Sequence, residues 1–231
     1  MTETLFIPSP LPEPETVGGR MVLPADDVAE KQIISMLENA TPTEFENGLN
    51  WYSAAHQRCI TLLGRYAGVK SVEHAAGMVA ALSPMQSWKN NVVLAERLME
   101  TGHVRGLRWV VEDAMDIFNG AHPDKVLYNP ARNNQKVRSF YQNIARPLNP
   151  YHVTVDRHVI AMLVDDPGIM NRQNWIRPKA YQWAGDRVRN VAEQVGQVPN
   201  QTQAIAWVVW RRMQGMPSAP IEHTVQLRLS I

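Results

Sequence analysis

Residues 152–163 read HVTVDRHVIAML. His152–Val155 suits an extended backbone, because three β-branched residues follow one another there. Asp156 comes next, and a helical apolar pattern runs from Arg157 to about Val164. Asp156 therefore stands where a helix N-cap stands. Aspartate is among the best residues for that position, since its carboxylate accepts the orphan amide donors of the first turn. The same position holds a carboxylate rigidly and can aim it into a cleft. Both readings fit the spacing.

Two upstream segments share this mixture of helix boundary and polar chemistry. In AALSPMQSWKNNVVLAERLM, residues 80–99, Pro84 ends one helix and Met85-Gln86-Ser87-Trp88 begins another. Ser87 reads as the cap and Trp88 as a staple into the core. The loop nevertheless gathers an amide, a hydroxyl, a thioether and a large aromatic. In VLYNPARNNQKVRSFYQNI, residues 126–144, Arg132, Lys136 and Arg138 lie among Asn133, Asn134 and Gln135. Basic and amide side chains at a helix start suit phosphate contacts; a solvated helix entrance has the same composition.

Beyond these segments the chain keeps helical period. Asp26 or Asp27 can cap a helix to about Asn39, and Thr43 with Glu46 has capping-box spacing. The dipeptide Asn47-Gly48 reads as flexible. Asn50 can cap WYSAAHQRCITLLGRYAG, with Gly68 as its stop. Ser71 opens the next helix. Further helices are expected over about 87–100, 111–119, 136–144, 180–195 and 201–214, with Gly102 and Gly120 as stops. In QTQAIAWVVWRRMQG, Trp207 and Trp210 read as packing residues, and Arg211 and Arg212 either reach an anion or complement the helix C-terminus. No alternating pattern is long enough for a sheet, although the tail HTVQLRLSI could form one strand. The expected fold is all-α: two helical lobes with a cleft. Residues 26–231 form a single domain with interleaved lobes, whose central region is about 71–165. Residues 1–25 carry five prolines and read as an extended or disordered leader.

Composition narrows the function. The 231 residues have a formal net charge of +1. Residues 1–48 hold nine acidic and two basic side chains, so the remainder carries a net +8. An acidic leader before a basic body permits a polyanionic partner. The N-terminus lacks a basic region before an apolar core, and no apolar run approaches the ~20 residues of a membrane span. A single cysteine, Cys59, excludes an internal disulfide, an Fe–S cluster and a cysteine zinc site. It reads as an inert core thiol in a reducing cytoplasm. His152, Asp156 and His158 straddle an extended-to-helix junction and point differently, so no metal site is expected, and no cofactor.

LSPMQSW, NNQKVRSF and VTVDRHV, in this order, resemble the helix-hairpin-helix DNA glycosylase superfamily. The first matches its LLSxQ-type segment, the second stands at its hairpin lysine, and the third matches its V-D-T-H-V segment. Lys136 and Asp156 lie twenty positions apart, close to the family spacing. The likeness spans roughly 80–163. The hairpin glycines are missing from LYNPARNNQK, and Arg157 replaces the threonine after the aspartate. GLNWY, AALSP, K-x-x-S-F-Y-x-N-I, VTVDRH and QAIAWVVWR also resemble proteins of actinobacterial phages, which would place this chain in a host cytoplasm.

The resemblance implies a helix-hairpin-helix glycosylase-like fold that cleaves the N-glycosidic bond of a damaged or modified base, with double-stranded DNA as partner and a monomeric enzyme. Asp156 would stabilise the oxocarbenium-like transition state. Lys136 would be either an amine nucleophile, giving associated lyase activity, or a phosphate ligand. Ser83, Met85, Gln86 and Trp88 would meet the extruded base or fill its place. Trp51 and Tyr52 would line the pocket, unless they are a core aromatic pair, and His158 would support Asp156 or pack. Arg132, Asn134, Arg138 and Arg157 would hold the DNA backbone. Two rivals keep the scaffold: a transferase that modifies a base, and a DNA-binding protein without chemistry.

Overall fold

The computed structural model describes residues 23–128, 134–171 and 177–216, and every regular element among them is helical. The chain begins with α1 (Asp26–Glu38), α2 (Pro42–Leu49) and α3 (Trp51–Arg65). Next come α4 (Val72–Ala81), α5 (Trp88–Thr101), α6 (Arg108–Phe118) and a single turn, α7 (Pro123–Val126). It continues with α8 (Gln135–Ala145), α9 (Arg157–Leu163), α10 (Pro178–Gln194) and α11 (Pro199–Met213), with a 3-10 turn over Pro167–Asn171. The all-α expectation holds. The leader as far as residue 22, the strand expected in HTVQLRLSI, and Arg132 lie outside the described residues. No helix among the described residues is long and apolar enough to cross a membrane.

Local chemistry sets the boundaries. Ser71 and Ser87 accept from the backbone N–H three residues on, as their spacing predicts. Gly102 and Gly120 both have positive φ, which glycine reaches without a Cβ clash. Several expected details shift. The capping box uses Thr41 and Glu44, two residues upstream of Thr43 and Glu46, because Pro42 takes the N1 position that its fixed φ favours. Neither Asp26 nor Asp27 caps α1. Ala25 is the N-cap, and Asp26 instead accepts from Trp183 Nε1 and pairs with Arg187. Asn50 gives α3 no side-chain cap, since its amide donates back to Glu46 O. The α3 helix stops at Arg65, where Tyr66 turns extended, before Gly68 is reached. Gly48 is no flexible link: it lies buried within α2.

The buried apolar residues form two clusters. The first is built on α4, whose residues Ala75–Ala81 are all buried, with faces of α3, α5, α6 and α8 around it. The second joins α1, α9, α10 and α11, and six of the seven residues of α9 are buried. The α11 helix serves both: Ala204 belongs to the first cluster, and Ala206, Val209 and Trp210 to the second. Cys59 is fully buried in the first, and burial pushes its thiol up to about 12, far from thiolate reactivity.

Candidate functional site

The extended segment before Asp156 is fixed from both sides. Val153 and Val155 are buried, and the Tyr181 hydroxyl of α10 donates to Val153 O at 2.8 Å while accepting from Val155 N–H. Thr154 Oγ1 accepts from Asn143 Nδ2 of α8 at 2.9 Å. This anchoring delivers Asp156 to the start of α9 with an extended backbone. Its Oδ1 accepts from the N–H groups of His158 and Val159 at 2.9 and 3.0 Å. Its Oδ2 accepts from Trp207 Nε1 of α11 at 3.2 Å. Asp156 is thus the N-cap its spacing suggested. It also receives a donor from a helix remote in sequence, and it is half-exposed on a cleft.

That cleft has a volume of about 550 Å³. The three sequence segments converge on it: Ser83, Met85, Gln86 and Trp88 from the first, Lys136 from the second, and Asp156, Arg157 and His158 from the third. Trp51 and Tyr52 line it too. They form one aromatic wall with Trp88 and Phe140, in which Trp51 meets Trp88 edge-on at 5.3 Å and Tyr52 at 4.8 Å. Tyr52 is therefore both core and wall: it is buried, and its hydroxyl donates to Gln203 Oε1 at 3.0 Å. Met85 is 84% exposed on a backbone with φ of 63°, a left-handed conformation that few non-glycine residues adopt.

The cleft also carries cations. Lys136, Arg157 and Arg211 all line the cleft, and among the described residues Asp156 is its one carboxylate. The Arg211 guanidinium stacks over the Trp207 ring at 4.6 Å, so a cation rests on the indole that donates to Asp156. Asn134 lies on an adjoining groove with Lys136, where its amide donates to Leu127 O at 2.8 Å. Arg138 turns the other way, over the Tyr128 ring at 4.3 Å, and does not line the Asp156 cleft.

Asn91, Phe140, Thr154 and Gln203 line the cleft without being among the site residues expected from the sequence, and Trp207 does more than pack. A signal existed for the last two. Gln203, Trp207 and Arg211 recur every four residues on α11, so they share the face that meets the cleft.

Burial lowers the pKa of His158, and Arg211, Arg157 and Lys136 lower it further against the pull of Asp156. His74 and His152 are also lowered, with burial the largest cause in each. The ordinary value is 6.5, so below it an unfolded chain takes up protons that the folded chain resists. Stability should be full above about pH 6.5 and fall as pH drops through the folded-state values. A series of thermal unfolding curves from about pH 8 to about pH 5 checks this. His158→Gln should flatten the acid arm; an arm as steep as that of wild type would clear His158 of the effect.

One family model matches the chain, over residues 25–214: a family of unknown function (DUF7178). No curated protein matches, and no solved structure matches.

Proposed function

We propose that this chain, which belongs to DUF7178, is a DNA base-processing enzyme that hydrolyses the N-glycosidic bond of a damaged or modified base. The observation that carries this reading is the Asp156 carboxylate, held by three N–H donors on a cleft with an aromatic wall and three cations. Breaking the glycosidic bond builds positive charge on the sugar. A carboxylate already fixed in place stabilises that charge without reorganising in the transition state. Oδ2 has one donor and Oδ1 two, which leaves lone-pair capacity for an attacking water.

The rest of the cleft suits the other demands of the reaction. A base must leave its stack at a cost of a few kcal/mol, and stacking on aromatic side chains offsets part of that. Trp51 and Trp88 offer such surfaces. Flanking phosphates need positive charge, supplied by Lys136, Arg157 and Arg211 around the opening. The glycosylase-like motifs support the same reading, because all three meet at this one cleft.

The assay is incubation of the purified protein with duplexes that each carry one damaged or modified base. Abasic sites and free base are expected. Altered nucleoside masses without abasic sites would make it a transferase, and binding with neither product would make it a DNA-binding protein. Borohydride reduction during turnover tests Lys136. A protein–DNA adduct that disappears in Lys136→Ala assigns it as the amine nucleophile, and no adduct assigns it to phosphate.

Affinity for duplex should fall steeply with salt. Each lost phosphate contact lowers the slope of log K against log salt by about 0.9, so Arg157→Gln should reduce it by about that amount. An unchanged slope would remove Arg157 from the DNA contacts.

A further inference from the structure

Three polar atoms on the cleft have no hydrogen-bond partner among the described residues. They are Ser83 Oγ, Asn91 Oδ1 and His158 Nδ1. Their residues are 9%, 2% and 7% exposed, so all three are nine-tenths buried or more while lining the cleft. Other buried polar atoms of the molecule also lack a partner, Asn143 Oδ1 and Asn200 Oδ1 among them, but these three belong to residues that line the cleft. Elsewhere along the same cleft the Tyr52 hydroxyl bonds Gln203, Thr154 bonds Asn143, and the Asp156 carboxylate takes three donors. The three unpartnered groups also come from separate elements: the loop after α4, the first turn of α5 and the first turn of α9.

Asn91 is the most telling of them. It lies on the buried stripe of α5 with Ala95 and Leu98, at spacings of four and seven residues. That register ordinarily holds an apolar side chain. A buried amide oxygen without a partner is destabilising, so folding alone does not account for it.

We propose that Asn91, flanked by Ser83 and His158, reads the hydrogen-bonding edge of the base held in this cleft. The inference rests on the base-binding reading of the cleft and adds how the base is recognised. An amide offers a carbonyl acceptor beside an NH₂ donor. It therefore matches a nucleobase edge with an adjacent donor and acceptor, as amino and keto groups beside ring nitrogens provide. The Ser83 hydroxyl can donate or accept. The His158 imidazole, kept neutral at physiological pH by burial, offers one donor and one acceptor nitrogen. The aromatic wall takes the faces of the base and these three residues take its edge. The ligand class is an unpaired nucleobase with such an edge, whether extruded from DNA or free as a nucleoside.

The test uses the full chain and three kinds of probe. These are the four natural deoxynucleosides, the difluorotoluene deoxynucleoside as an apolar isostere, and a duplex with one tetrahydrofuran abasic site. Affinities are read by isothermal titration or by NMR shifts. Wild type should bind at least one natural deoxynucleoside about tenfold or more tightly than the isostere. Asn91→Leu should abolish that preference, raise the unfolding temperature and leave abasic-duplex affinity within about twofold. Asn91→Asp, which keeps the shape and loses the donor, should weaken the preference as well.

Equal binding of isostere and natural nucleosides by wild type overturns the proposal, as does a preference unchanged in Asn91→Leu. The two readings fail separately. Base release that persists with an Asn91-independent preference removes edge reading and keeps the enzyme. An Asn91-dependent nucleoside preference without duplex binding keeps edge reading and removes the DNA enzyme.

Discussion

Asp156→Asn is expected to cut base release by on the order of hundreds-fold or more, about 3 kcal/mol in barrier, in a protein that remains folded. The substitution separates the observed N-cap role of Asp156 from its proposed catalytic one. As an N-cap, its Oδ1 receives the N–H groups of His158 and Val159. Asparagine caps helices about as well as aspartate, and its one carbonyl oxygen can keep both bonds. The oxygen that changes is Oδ2, which becomes an NH₂ facing Trp207 Nε1. Two donors then oppose each other, at a cost of about 1 kcal/mol in stability. Thermal unfolding should register only that small loss. The negative charge is gone, and with it the electrostatic stabilisation proposed for the sugar cation. Asp156→Ala should match Asn in activity and lose about 1 kcal/mol more in stability, because the cap goes too. If Asp156→Asn releases base at the wild-type rate, the carboxylate is a cap and nothing else.

The sequence carried the fold class and most of the cleft for identifiable reasons. Helical period without strand alternation is a whole-chain signal, so it survived errors at single boundaries. The boundary errors have local causes. Thr43 and Glu46 have the right spacing for a capping box, but Pro42 prefers N1 and moves the box to Thr41 and Glu44. The helix α7 has four residues, too few for any periodicity to show.

At the site, segments that broke helical monotony were the visible ones: LSPMQSW, NNQKVRSF and VTVDRHV each join an element boundary to polar chemistry. The Trp207 contact was harder to read because the residue sits in the apolar run 204–210, where packing accounts for an indole just as well. Its Nε1–H reaches across fifty-one positions to Asp156, and no local pattern reports such a contact. Asn91 was hidden for the opposite reason. Beside Lys89 and Asn90 it reads as part of a solvated helix start, and only the packing shows that it faces inward.

Gly48→Ala should destabilise the protein by about 3 kcal/mol, which for a domain of this size lowers the unfolding temperature by about 6–12 °C. At Gly48 the α2 and α11 backbones approach closely. A Cβ placed there would lie 2.4 Å from Ile205 Cα and 2.6 Å from Ile205 N. Both are backbone atoms of a helix, so no rotamer change relieves the contact and the helices must separate. Polar contacts on either side oppose that separation. Arg212 donates to Glu44 Oε1 at 2.6 Å, one turn before Gly48, and Gln201 donates to Leu49 O at 3.3 Å, just after it. These pairs run antiparallel, so pushing α11 outward strains both.

The displacement would also reach the cleft, because α11 carries Gln203, Trp207 and Arg211 to it. Gly48→Ala should therefore weaken nucleoside and DNA binding along with stability. Gly64→Ala is the matched control. It is exposed on α3 with nothing within 4 Å of a Cβ, and should be neutral or stabilising by up to about 1 kcal/mol from reduced backbone entropy. If the two variants unfold at the same temperature, α2 and α11 do not dock through Gly48. If Gly48→Ala alone falls, and nucleoside and DNA binding weaken with it, the close helix contact supports the α11 side of the cleft as well as the fold.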